Sequence, residues 1–316
     1  MALMVGVDVG GSHITAGLFD GHQFVRRYHI AFSPGSLGKG VPEAVAEATS
    51  QVLPEYDGQP VGVGMPGVTT ADGIVLLAPN LGLVDFPVQA RLRALGFSAH
   101  VLNDANAAAV AEWYSGAGKG AKSLVCVTVG TGIGAGVVID GHLLVGKSGR
   151  GGEIGHMLVM PGGPECSCGT HGCLEALASG QAIARMGKQA CSGGDPVLLR
   201  LCSDDPCTLE AKTVFEAARA GSQTARQVIE QAAMWLGVAL ANVVSVIDPE
   251  IIIVGGGVAL SGEQFLEPVR RSMEASALCR IAMPPVVLAA HGTEAGMLGA
   301  AVHAGMSSGA LGRLIS

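Results

Sequence analysis

Basic residues are few in this chain of 316 residues: 19 Lys and Arg face 26 Asp and Glu, a formal net charge of −7 at pH 7. They form no basic run. A surface that binds nucleic acid carries a basic stripe against the phosphates, so no nucleic-acid partner is expected. The opening, Met1 to Asp8, lacks the basic start and cleavage site of a secretory leader. Long apolar runs are also scarce. The most apolar one, 232–247, is shorter than the roughly 20 residues that cross a bilayer. It also holds Asn242 and Ser245, and it reads as a buried helix. No membrane partner is expected, and the expected compartment is the cytoplasm.

Hydrophobic residues make up 49% of the chain, enough for a sizeable core in one large or two medium domains. The 48 glycines recur in tight clusters beside apolar runs, a pattern of backbone brought close to ligands. Three of the eight cysteines crowd into Cys166, Cys168 and Cys173. Without an export signal, such a cluster reads as a metal site before it reads as disulfides.

Apolar runs predict strands at 3–9, 14–19 and 23–30, with a glycine turn after the first and Asp20-Gly21 as a hairpin after the second. The same order recurs at 123–129, 133–139 and 142–145, with Asp140-Gly141 as the hairpin. Helices are predicted at 42–53, 104–115, 174–189, 208–220, 224–247, 263–277 and 294–304. Further strands are predicted at 61–65, 250–254 and 286–289. Two copies of one arrangement imply two α/β lobes with a cleft. The boundary falls near 115–122, where Gly116, Gly118 and Gly120 gather.

Five motifs carry chemistry. In Asp8-Val9-Gly10-Gly11-Ser12, bare glycines let N–H groups approach phosphate oxygens, and Asp8 can hold Mg²⁺; a plain hairpin turn is the alternative. Thr128 to Gly136 contains Gly130-Thr131-Gly132 in the matching place of the second copy, so the two turns can grip one polyphosphate. Gly255-Gly256-Gly257 follows an apolar strand and can accept an adenine or ribose, or serve as an ordinary βα turn; Leu260 breaks the dinucleotide fingerprint. Asp104 in Asn103-Asp104-Ala105-Asn106 can take the proton of a sugar hydroxyl, or can simply cap a helix. His156, Cys166, Cys168 and Cys173 form a closed Cys₃His set for a structural Zn²⁺, flanked by Glu153 and Glu175. Gly141 to Ser148 matches the P-loop letter for letter, but Gly149-Arg150-Gly151-Gly152 cannot propagate the helix a P-loop needs.

These segments, with Cys166-Ser-Cys-Gly-Thr-His-Gly-Cys173-Leu-Glu175 the most specific, resemble the ROK family of repressors and sugar kinases. The resemblance implies the actin-like ATPase (ribonuclease H-like) fold, with a small lobe over 1–117, a large lobe over 118–293, and the end from about 294 to 316 packed on the small one. It implies ATP-dependent phosphorylation of a hexose, glucose first, with N-acetylmannosamine, other amino sugars or fructose as alternatives. Asp104 would be the catalytic base. Gly67, Asn103, Asp104, Glu153, His156 and Glu175 would hold the sugar. Asp8, Gly10, Gly11, Ser12, Thr131 and Gly132 would meet Mg²⁺ and the phosphates, with Gly255 and Gly256 at the adenosine. His156, Cys166, Cys168 and Cys173 would bind the zinc. It also implies a homodimer or homotetramer. A sugar-responsive repressor of the same family would need an N-terminal helix-turn-helix, for which a first strand at Leu3 leaves no room.

Overall fold

The computed structural model describes residues 3–33, 35–203, 205–275 and 277–312. In chain order the elements are β1 (Met4–Val9), β2 (His13–Phe19), β3 (Phe24–Ala31), α1 (Val41–Val52), β4 (Pro60–Met65), β5 (Val68–Thr69), β6 (Val75–Ala78), β7 (Leu83–Phe86), α2 (Val88–Ala94), β8 (Ser98–Asn103) and α3 (Asp104–Ser115). There follow β9 (Leu124–Val129), β10 (Ile133–Ile139), β11 (His142–Leu143), α4 (Glu175–Ala178), α5 (Gly180–Ser192), α6 (Pro196–Leu201), α7 (Ala211–Arg219) and α8 (Gln223–Ile247). The last are β12 (Ile251–Gly255), α9 (Glu263–Glu274), α10 (Ala277–Ile281), β13 (Val286–Leu288) and α11 (Ala295–Ser307).

Two five-stranded sheets have the orders β3-β2-β1-β4-β8 and β11-β10-β9-β12-β13. These are the same order written twice, so the repeat read from the glycine turns is a repeat of topology. A small sheet, β5-β6-β7, was not foreseen. The described residues of Met1–Cys126, Gly136–Gly152 and Ala289–Ser316 form one compact unit, and those of Val127–Ala135 and Glu153–Leu288 the other. The boundary expected at 117/118 thus falls inside the first unit.

In the first unit, β1 is antiparallel to β2 and parallel to β4, and β4 is parallel to β8. Side chains alternate across a strand. Val5, Val7 and Val9 accordingly join Val41, Val45, Val88 and Leu92 of α1 and α2 in one core cluster. Met4 joins residues of α3 and α11 on the opposite face. Helix α11 lies close because small residues permit it. A Cβ at Gly62 would sit 1.8 Å from the Ala300 carbonyl oxygen, and one at Gly299 would sit 1.6 Å from that of Ala107. Glu112 of α3 is fully buried. Its Oε1 accepts the N–H groups of Ala290 and His291, and its Oε2 accepts that of Ala117. One carboxylate therefore pins both the segment leaving α3 and the segment leading to α11.

His303 of α11 is held at a pKa of about 4 by burial, with His100 adding to the effect. Its folded pKa lies below the unfolded value near 6.5, so its contribution to stability is complete above that value. The contribution is lost as pH falls toward 4, because the unfolded chain then binds the extra proton. Between pH 7 and pH 4.5 this amounts to about 2–3 kcal/mol. His303→Gln should remove that part of the acid slope, as read from urea midpoints at the two pH values.

In the second unit, α8 packs on α7 and α9. The rings of Phe215 and Phe265 meet edge to face at 6.1 Å, and Ile252, Ile253 and Val254 of β12 are fully buried. Helix α8 spans 25 residues, so the 232–247 run belongs to a segment long enough to cross a bilayer. It is the one such helix among the described residues, and 61% of its most apolar window is buried, as in a core helix. The P-loop look-alike contains β11 and no helix. The helix expected over 174–189 is broken at Ser179, whose hydroxyl accepts the Ala182 N–H and caps α5 afresh.

Candidate active site and metal centre

In the first unit the candidate residues gather at the carboxyl ends of the parallel strands β1, β4 and β8, the edge where open α/β sheets bind ligands. The pairs Asp8↔Gly64 and Met65↔Asn103 set the ends in register. Gly67 follows in a left-handed turn, φ +84°. Its carbonyl accepts a hydrogen bond from Asn103 Nδ2 at 2.9 Å. Asn103, not Asp104, caps α3: its Oδ1 accepts the Asn106 N–H at 3.0 Å. Asp104 is the first helical residue, and its Oδ1 accepts from the Ala105 N–H (2.8 Å) and from Asn103 Nδ2 (3.0 Å). The cap and the carboxylate thus belong to two residues, and the cap holds the carboxylate in a fixed direction.

The Asp8 carboxylate lies where two neighbours lack side chains. A Cβ at Gly296 would come within 2.8–3.0 Å of it, and one at Gly64 within 3.5 Å. Burial raises its pKa, opposed by His13. A carboxylate stripped of water in this way gains from a cation, so Asp8 suits Mg²⁺. In the Gly10-Gly11-Ser12 turn, Gly10 N–H donates to the His13 carbonyl and Phe32 N–H to that of Ser12. The His13 ring stacks on His29 at 5.5 Å.

In the second unit, the turn after β9 is tied by Gly130 N–H to the Gly132 carbonyl. Helix α5 begins against it: Gly180 N–H donates to the Gly130 carbonyl (2.8 Å) and Gln181 N–H to that of Thr131 (3.3 Å). A groove of about 910 Å³ opens here, lined by Gly130, Thr131, Gln181, Lys188, Lys212, Arg219, Gly257 and Leu260 among others. Its three cations outnumber one carboxylate, Glu210, which makes it favourable to anions, while the first N–H groups of α5 are already taken by Gly130, Thr131 and Ser179. Gly255 closes β12, and Gly256 (φ +86°) packs where a Cβ would be 2.5 Å from the Val129 carbonyl oxygen. Sequence reasoning missed Gln181, Lys188, Lys212 and Arg219. The only local signal was Ser179-Gly180 inside an otherwise helical run.

His156, Cys166, Cys168 and Cys173 bring their donor atoms within 4.8 Å of one another. A tetrahedral Zn²⁺ with ordinary bond lengths separates two sulfurs by about 3.8 Å and a sulfur from a nitrogen by about 3.6 Å. Cys168 and Cys173 Sγ are 3.7 Å apart, as are Cys166 Sγ and His156 Nδ1. The donors fit zinc, with no position left over for substrate. Glu153 precedes the short 3₁₀ turn Ile154–His156. Burial raises its pKa, His156 opposes this, and Glu175 adds to it.

The ROK family model matches residues 4–305, and the chain belongs to that family. A glucokinase of Halalkalibacterium halodurans is 38% identical over 305 residues, 93% of this chain and 92% of that one. An N-acetylmannosamine kinase of Salmonella typhimurium is 34% identical over 302 residues, 94% and 96% of the two chains. The crystal structure of a ROK family glucokinase from Streptomyces griseus, in complex with glucose and AMPPNP, superposes with a TM-score of 0.81. It has 35% identity and covers 96% of this chain and 99% of that one. The repeated sheet order is that of the actin-like ATPase fold of these kinases.

Proposed function

We propose that this protein is a glucokinase that moves the γ-phosphoryl group of ATP onto the 6-hydroxyl of glucose, giving glucose 6-phosphate and ADP. The similarity to glucokinases over nearly the whole chain supports this reading. The observation that carries it is Asp104, aimed by Asn103 and the first turn of α3 at the carboxyl edge of the parallel strands. In this role Asp104 takes the hydroxyl proton as the sugar oxygen attacks phosphorus and ADP leaves with the old bond's electrons. Asn103, the Gly67 backbone, Glu153, His156 and Glu175 hold the sugar hydroxyls. Gly10, Gly11, Ser12, Thr131 and Gly132 meet the phosphates, and Gly255 and Gly256 shape the adenosine end of the groove. Mg²⁺, held by Asp8, supplies charge neutralisation to the phosphates, and Zn²⁺ supplies rigidity to the loop carrying Glu153 and Glu175.

We place the enzyme in the cytoplasm as a homodimer or homotetramer, in keeping with the family resemblance. Phosphorylation of N-acetylmannosamine is the second reading, favoured by the Salmonella relative. An ADP-release assay over a hexose panel separates the two. The expected result is the highest kcat/KM with glucose. A tenfold preference for N-acetylmannosamine establishes the second reading in its place.

A further inference from the structure

We propose that Glu175 is a positioning residue for the phosphate turn, through which the zinc loop fixes the shape of 130–133. The inference rests on reading that turn as a nucleotide-phosphate contact. Glu175 Oε2 accepts the Ile133 N–H at 3.0 Å. The same oxygen would be 2.3 Å from a Cβ at Gly132, so the carboxylate fills space that glycine leaves open. Its Oε1 accepts the Ser167 hydroxyl at 2.8 Å and lies 3.7 Å from Cys166 Sγ.

Both ends of this link are anchored by metal ligands. Ser167 stands between Cys166 and Cys168, and Glu175 stands two residues after Cys173. Just beyond it, α5 holds the carbonyls of Gly130 and Thr131. The turn is therefore bracketed at three backbone groups by the segment that leaves the zinc loop. A carboxylate with both oxygens so engaged is more than a contact for sugar hydroxyls. The zinc, closed to substrates, then acts on the nucleotide through Ser167 and Glu175.

The test compares zinc-loaded protein with protein stripped by a chelator. Amide exchange over 128–136 should accelerate on stripping by about tenfold or more, the loss of one charge-assisted hydrogen bond. The Kd for Mg-AMPPNP, by calorimetry, should rise about fivefold or more. Ser167→Ala, still holding one zinc, should raise the AMPPNP Kd by roughly three- to tenfold, and by more than it raises the glucose Kd. Ser167→Thr, which keeps the hydroxyl, should restore it. Unchanged exchange over 128–136 on stripping overturns the proposal, as does Ser167→Ala weakening glucose alone. If the wild-type protein fails to bind AMPPNP, the nucleotide reading itself is overturned. The exchange arm still decides the link.

Discussion

Asp104→Asn should lower kcat by about 10²- to 10⁴-fold, the usual contribution of a positioned general base. The variant keeps an oxygen for the Ala105 N–H and Asn103 Nδ2, so the start of α3 stays in place. What it loses is the capacity to take a proton. The loss should therefore fall on kcat and kcat/KM together, with the glucose KM near its starting value. Steady-state kinetics with melting temperatures as a folding control read the result. Turnover within tenfold of the parent would remove Asp104 from the role of base.

Cys173→Ser should have the second largest effect. Cys173 is fully buried, and its sulfur is one of four donors within 4.8 Å. In a site that forms only on folding, metal affinity is folding free energy, on the order of 10 kcal/mol or more for small zinc modules. Here much of the second unit keeps its own core, around Phe215, Phe265 and β12, so the loss should concentrate in the loop. Zinc content should drop from one ion per chain to a small fraction, cleavage within 157–174 should become fast, and activity should fall by at least about tenfold. Cys207→Ser is the control, since Cys207 is exposed and outside the cluster. Metal analysis and limited proteolysis of both variants check the expectation. Full zinc content in Cys173→Ser would contradict it.

The sequence made the zinc cluster legible because its ligands are close in the chain and their types admit few other roles. It also marked α3 at its observed bounds, because an Asn-Asp start and an alanine-rich body are local signals. The small sheet was not legible. Its strands run two to four residues, too short to display an alternation, and Asp85 in β7 takes φ +48°. The break at Ser179 was hidden because Ser179 and Gly180 are tolerated within a helix; only the docking of α5 on the Gly130 turn shows why the chain restarts there. Glu112 looks in sequence like a residue on a solvated helix face, yet its partners at 290 and 291 are 178 and 179 residues away. The described residues from 289 onward join the first unit, as the family resemblance implied for the stretch from about 294; residues 136–152 join it too, through long-range packing that no local pattern announces.

The decisive measurement is phosphorus NMR of the products after zinc-loaded protein is incubated with Mg-ATP and glucose. Glucose 6-phosphate and ADP are expected in equal amounts from the wild-type chain, and next to none from Asp104→Asn. ATP left intact beside glucose, or consumed without any sugar phosphate, would contradict the glucokinase reading.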